Sequence, residues 1–143
     1  MTQESADSYI LRKVTIGVYW DNEANPSVLV PLGDFFCLGH SMINSFQSIF
    51  FTASTNQKAG FSGHVALNCY LPMPFNKSAR IELHNESSTE YWQYFYIDYQ
   101  VYEQEFSDDT VYFHASFNRE NPTAGWGHEI TVNTPPGQYC QFN

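Results

Sequence analysis

Apolar and polar residues alternate with a period of two along much of this chain, and this pattern restricts the possible folds more than any other feature. In "KVTIGVYW", residues 13–20, the apolar side chains of Val14, Ile16, Val18 and Trp20 fall on one face. Side chains alternate between the two faces of a β-strand, whereas those of a helix repeat about every 3.6 residues. Almost no stretch has helical spacing, so the sequence predicts a protein built from β-strands.

Several segments have the composition or the alternation of strands, and turn residues separate them. They are residues 13–20, 27–36, 48–54, 64–70, 79–85, 90–103, 110–118 and 129–133. The longest, 90–103, is predicted to pack one face in a core and to place the other against a second layer. Strands at this spacing indicate an all-β sandwich, with a jelly-roll-like topology favoured, that forms a single domain over residues 1–143.

The C-terminal stretch does not have the pattern of a completed last strand. The chain ends on "PPGQYCQFN", in which Tyr139 and Phe142 lie in a segment that no further strand completes. Domains usually end on a finished strand or on a polar tail. We therefore expect the sandwich to be incomplete at its C-terminal end.

The charge balance and the cysteines exclude several classes of function. The chain carries 6 Lys and Arg against 15 Asp and Glu, a formal net charge of −9. Nucleic acids and anionic membranes are bound by clustered basic side chains, so neither partner is expected. No apolar run approaches the roughly 20 residues of a membrane span, and "MTQESADSYI" is no secretory signal. Cys37, Cys69 and Cys140 lack CxxC spacing, which favours buried, reduced thiols in a cytoplasmic protein.

The segment "NCYLPMPFNKSARIELHN", residues 68–85, contains two prolines within an apolar run. Pro72 and Pro74 cannot donate ladder hydrogen bonds, so a central strand cannot pass through them. The segment is either a rigid plug in the core or a stiff loop that presents Tyr70 and its neighbours at the surface. We favour presentation, because the prolines lower the entropy lost on ordering such a loop.

Few residues point to catalysis or to metal binding. The five histidines are His40, His64, His84, His114 and His128, and no two have metal-ligand spacing, so no metal or cofactor is expected. Asp21 and Glu23 follow Trp20, which fits either a sugar subsite or a solvated turn. Asp34 lies between Gly33 and two phenylalanines, where it either caps a turn or binds a ligand hydroxyl.

Four stretches together resemble one known family. They are "YWDNEANPSVLVPLGDFF", "NCYLPMPFNKSARIELHN", "YFYIDYQ" and "YFHASFNRENPT", which span residues 19–123 in the family's order. They are similar to the N-terminal part of the domain of unknown function family 2961, now grouped with glycoside hydrolase family 172. The resemblance implies a jelly roll as the first of two sandwiches, an oligomer of the full-length protein, and retaining hydrolysis or transfer at fructofuranosides or arabinofuranosides.

The resemblance also indicates what this chain lacks. The family's catalytic carboxylates lie in segments of the Gly-Glu-Gly-Asp and Gly-Thr-Glu-Asp-Tyr kind, and nothing here matches either. We therefore assign no catalytic residue and interpret the chain as an N-terminal fragment that binds carbohydrate. The predicted substrate-binding residues are Trp20, Asp34, Phe36, His40, Asn68, Tyr70 and Met73. The alternatives are a non-catalytic carbohydrate-binding or assembly module, and the product of a split gene.

Overall fold

The structure, a computed structural model, describes residues 1–61, 63–104, 106–107 and 109–119. The strands within these ranges are β1 (Thr2–Ser5), β2 (Val14–Trp20), β3 (Val28–Pro31), β4 (Phe46–Gln47), β5 (Phe51–Ser54), β6 (Val65–Cys69), β7 (Ala79–Asn85), β8 (Tyr91–Tyr94) and β9 (Ala115–Ser116). Two short helices, α1 (Ile10–Lys13) and α2 (Leu32–Phe35), and a 3₁₀ helix at Gly39–Ser41 complete the elements.

The strands form two sheets. The first has the order β4-β5-β6-β1-β8 and the second the order β7-β2-β3-β9. In the first sheet β1 lies between two antiparallel partners, and Gln3 is in register with both Val65 and Gln93. In the second sheet β2 is flanked by β3 and β7, again antiparallel, while β9 is parallel to β3.

The hydrophobic core is formed by the inward faces of both sheets and by the two helices. Its buried apolar residues are Ile10, Leu11, Val14, Ile16, Val18, Trp20, Val28, Val30, Leu32, Phe36, Leu38, Ile43, Ala53, Val65 and Leu67. The alternating residues of β2 belong to this set, because their side chains all leave the strand on one face. The two sheets and their shared core confirm the predicted all-β sandwich.

The sequence pattern missed β1 and both helices. Each helix is a single turn, too short to show a repeat, and each is held by burial: Ile10, Leu11 and Leu32 are at most 3 % exposed. The predicted strand 27–36 therefore ends at Pro31 and continues as a helical turn. No helix in the described part of the chain is long and apolar enough to cross a membrane.

Two predicted strands are much shorter than expected. Of residues 90–103 only Tyr91–Tyr94 form a strand, and of 110–118 only Ala115–Ser116 do. Residues 95–102 are all exposed, so the prediction that one face packs in the core is wrong for this part of the segment, whereas Tyr91 in β8 is half-buried and packs against the core. A strand needs a neighbour, and no described strand pairs with 95–104. The predicted strand 129–133 lies outside the described residues.

The cysteines also differ from expectation. Cys37 is exposed and follows α2 with a left-handed φ of 60°, and Cys69 is half-buried. Both are free thiols. Desolvation by burial is the leading reason that the pKa of each thiol is raised. Cys140 lies outside the described residues.

Candidate functional site

Trp20, the first predicted substrate-binding residue, is part of the core. Only 2 % of it is exposed, and its ring stacks on Phe75 with centroids 6.1 Å apart and planes 6° from parallel. Its indole Nε1 donates a hydrogen bond to the backbone oxygen of Phe113 over 2.8 Å. The ring therefore presents no face to a ligand from solvent.

Phe36 is buried as well, at 4 % exposure, and packs edge-on against Phe35 and Phe51 at centroid distances of 5.0 and 6.4 Å. Asn68 is half-buried in β6, where its Nδ2 donates to Thr52 Oγ1 over 3.0 Å. That bond holds two strands of the first sheet together and occupies one donor of the amide.

Asp34 is engaged in an ion pair. Nη1 of Arg12 lies 2.8 and 2.7 Å from the two carboxylate oxygens of Asp34, with both side chains about three-quarters buried, at 22 % and 25 % exposure. The Arg12 guanidinium also lies 4.9 Å from the centroid of Phe117. His40 is exposed in the 3₁₀ helix with a left-handed φ of 60°. The structure thus does not bring the predicted residues together around one pocket.

The proline segment combines the two alternatives that the sequence left open. Tyr70 is 62 % exposed and is presented at the surface. Met73 and Phe75 are half-buried and pack against the core, Phe75 through its stack on Trp20. The prolines therefore position one aromatic ring outward while the following side chains close the sandwich.

A cluster of hydrogen bonds surrounds Asp21, directly after β2. Its carboxylate accepts from the backbone N–H groups of Asn76, Lys77 and Ser78 and from the hydroxyl of Tyr112. Asp21 and Asn22 both have left-handed φ, 50° and 66°, a conformation that Asp and Asn tolerate better than most residues.

The electrostatics of this cluster follow from those bonds. Desolvation acts to raise the pKa of Asp21, but the backbone N–H groups and the Tyr112 hydroxyl outweigh it and lower the pKa to about 2. The hydrogen bond between Tyr112 and Asp21 is also the leading reason that the pKa of Tyr112 is raised. A carboxylate with this pKa is ionised at neutral pH, and its hydrogen bonds connect the end of β2 with residues 76–78 and Tyr112.

A cleft of about 340 Å³ opens where β1, β6 and β8 meet. It is lined by Ser5, Ala6, Gly63, His64, Glu90 and Trp92. Gln93 and Val65 share a register position across β1, and Val65 is 1 % exposed and faces the core. By alternation, the neighbouring Trp92 and His64 face away from the core. The cleft therefore lies on the outer face of the first sheet.

The cleft combines an aromatic surface with groups that form hydrogen bonds. Trp92 is 64 % exposed, and Glu90 and His64 are exposed as well. An indole face packs against apolar C–H groups, while a carboxylate and an imidazole bond hydroxyls. Trp92 is not among the substrate-binding residues predicted from the sequence. The alternation of Glu90 and Trp92 was the signal that could have found this site.

Another hollow, of about 510 Å³, lies over β4 and β5. It is lined by Ser45, Phe46, Gln47, Thr52, Ala53 and Ser54, and none of these side chains ionises. Within the described ranges, no group of three or more His, Cys, Asp or Glu side chains is placed to hold a metal ion. The cleft beside Trp92 is the stronger candidate of the two.

Comparison with known proteins gives one informative result. No curated protein matches the chain. The profile of the GH172 domain-like family matches residues 1–96 of the 143, and every residue that lines the cleft falls within that range. The chain belongs to the GH172 domain-like family, a family related to glycoside hydrolases.

Proposed function

We propose that this chain supplies a carbohydrate-binding surface of a retaining glycoside hydrolase or transglycosylase that acts on fructofuranosides or arabinofuranosides. The observation that carries the proposal is the cleft beside Trp92. It lies entirely in the part of the chain that matches the family, and it joins an exposed indole to a carboxylate. A furanose ring can pack its C–H groups against the indole and donate hydroxyl hydrogen bonds to the carboxylate.

We propose that the catalytic carboxyl pair is not part of this chain, because no segment of the sequence matches the family's acidic motifs. Retaining hydrolysis uses two carboxyl groups roughly 5 Å apart, one of which needs a raised pKa to act as the acid. Asp7 and Asp21 have pKa values lowered to about 2 instead. For Asp7 the leading cause is the hydrogen bond from Lys13, and for Asp21 the bonds described above overcome desolvation. These lowered pKa values make Asp7 and Asp21 unsuited to the role of the acid.

Titration of the whole chain tests the binding role. We expect methyl arabinofuranoside or methyl fructofuranoside to bind weakly, as measured by isothermal titration calorimetry, which does not depend on the tryptophan that the variants remove. Trp92→Ala should reduce the affinity roughly tenfold, while Trp92→Phe retains most of it because a ring face remains. Phe50→Ala is the matched control, since Phe50 is 43 % exposed and lies between β4 and β5, toward the opposite edge of the same sheet.

Other results would contradict the proposal. If neither sugar binds at millimolar concentration, the binding role is wrong. If Tyr70→Ala lowers the affinity and Trp92→Ala does not, the site lies at the proline segment instead. Turnover of an aryl furanoside by the 143-residue chain alone would overturn the placement of the catalytic pair elsewhere.

A second candidate function, an assembly module, is favoured by one observation. After β8 the chain exposes Tyr96 at 92 %, Tyr99 at 73 % and Val101 at 85 %. Exposed apolar side chains in a row are typical of surfaces that another protein covers. On this proposal a second copy of the chain covers them, and analytical ultracentrifugation would detect a dimer that Val101→Asp dissociates. A monomer at every concentration would exclude it.

A further inference from the structure

We propose that the cleft is one end of an elongated binding surface that continues along the outer face of β8, and that its ligand is a neutral oligosaccharide of two or more units. This inference rests on the proposed carbohydrate-binding function and specifies its ligand. Trp92, at the cleft, and Tyr94, beyond it, form the surface, which we call the β8 platform.

The two rings of the β8 platform share one face. Trp92 and Tyr94 are each 64 % exposed. Tyr91, which precedes Trp92, and Gln93, which lies between the two, are half-buried. Residues two apart in a strand point to the same side, and their Cα atoms are roughly 6.6 Å apart. Two ring faces at this spacing can contact two consecutive sugar rings of one chain.

The platform is also open along its length. β8 is the edge strand of the first sheet, so no described strand lies beyond it. The next residues, Phe95 and Tyr96, are 58 % and 92 % exposed. A ligand that starts in the cleft therefore meets no described element as it passes along β8.

The charges favour a neutral ligand. The whole chain has a formal net charge of −9, and Glu90 and His64 are the exposed ionisable side chains that line the cleft. No Lys or Arg occurs between residues 81 and 104. An anionic glycan would find no Lys or Arg in this part of the chain and would be repelled by the protein's field. The Tyr94 hydroxyl offers a neutral hydrogen-bonding group instead.

A length series of one neutral furanose oligomer tests the inference. We expect the affinity of α-linked arabinofuranosides to rise about tenfold from the monosaccharide to the trisaccharide, because the second ring gains the Tyr94 face. Tyr94→Ala should abolish that gain and leave the affinity for the monosaccharide unchanged. Trp92→Ala should weaken both, and Phe50→Ala should change neither.

The outcomes separate this inference from the proposed function. If affinity is independent of length, or if Tyr94→Ala leaves the gain intact, the platform is wrong, although binding in the cleft stands. If no oligomer binds, both are wrong. If Tyr94→Ala instead changes the mass of the protein in solution and leaves glycan affinity as it was, this face is an interface between copies. Circular dichroism confirms that each exposed-site variant is folded.

Discussion

The hydroxyl of Tyr112 donates a 2.8 Å hydrogen bond to the carboxylate of Asp21, a residue 91 positions earlier in the chain. Asp21 at the same time accepts hydrogen bonds from three backbone N–H groups within the proline segment, shortly after Pro74. One ionised side chain thus joins the end of β2, the start of β7 and the segment that leads to β9. The cluster therefore holds these three parts of the chain together at one end of the second sheet.

Asp21→Asn is expected to destabilise the protein by on the order of 1–3 kcal/mol at neutral pH, because an amide replaces a charged acceptor of several hydrogen bonds. Tyr112→Phe removes only one of those bonds and should cost about 1 kcal/mol. Urea unfolding of the three proteins gives the values. Equal stability of wild type and Asp21→Asn would contradict the role assigned to the carboxylate.

The pH dependence of the same variant has a definite sign. The folded protein holds the pKa of Asp21 near 2, below its ordinary value of 3.8, so the contribution of this group is full above 3.8. It is lost as the pH falls from 3.8 toward 2, when the folded carboxylate also takes up a proton. The stability difference between wild type and Asp21→Asn should therefore shrink over that interval, as measured by urea unfolding at a series of pH values.

Trp20→Phe is expected to lower the free energy of unfolding by about 2–3 kcal/mol. The change removes buried ring volume and leaves the backbone oxygen of Phe113 without its donor. Because Trp20 is in the core, sugar binding by the folded variant should be unchanged. A variant that is fully stable but binds sugar weakly would show that Trp20 is a substrate-binding residue after all.

Gly33→Ala should destabilise the protein by about 1–3 kcal/mol through overpacking. A Cβ at this position would lie 2.8 Å from the backbone oxygen of Leu38 and 3.0 Å from Cβ of Leu11. Gly39→Ala is the control, since nothing lies within 4 Å of a Cβ placed there. Thermal melts of both variants compare them directly, and equal melting temperatures would refute the close packing around α2.

Arg12 and Asp34 should show a coupling energy of about 1 kcal/mol in a double-mutant cycle to alanine, because their charges meet in a partly buried position. Asp34→Ala should leave sugar affinity unaltered, since the carboxylate is already occupied by Arg12. Additive effects of the two substitutions would show that the pair contributes nothing to stability. A loss of sugar binding would return Asp34 to the site.

The period-two alternation was sufficient to predict the sandwich and the inward face of β2. It failed where the outcome depends on a neighbour that the local pattern does not contain. Residues 95–102 alternate as well as β2 does, but no described strand pairs with them, so they are exposed. The single-turn helices escaped prediction for a related reason, because burial of Leu11 and Leu32 stabilises them rather than a repeat in the sequence.

The candidate site was harder to predict than the fold. Trp20 and Trp92 are the same residue type, and each belongs to a segment with alternating side chains, but one is 2 % and the other 64 % exposed. Which face of a strand meets the core depends on the register of the sheet, and the register of β8 is set by β1, a strand that the sequence did not reveal. Aromatic composition alone therefore could not choose between the two.

The position of β1 between β6 and β8 also has a consequence for biosynthesis. Thr2–Ser5 leave the ribosome before either of their partner strands, because Gln3 pairs with Val65 and with Gln93. At roughly 5–20 residues per second, the second partner follows about 5–20 seconds later. During that interval the emerging chain holds an unpaired strand that other chains could capture. We therefore expect the first sheet to close only late in translation, and ribosome-bound chains that stop before residue 94 to need chaperone protection.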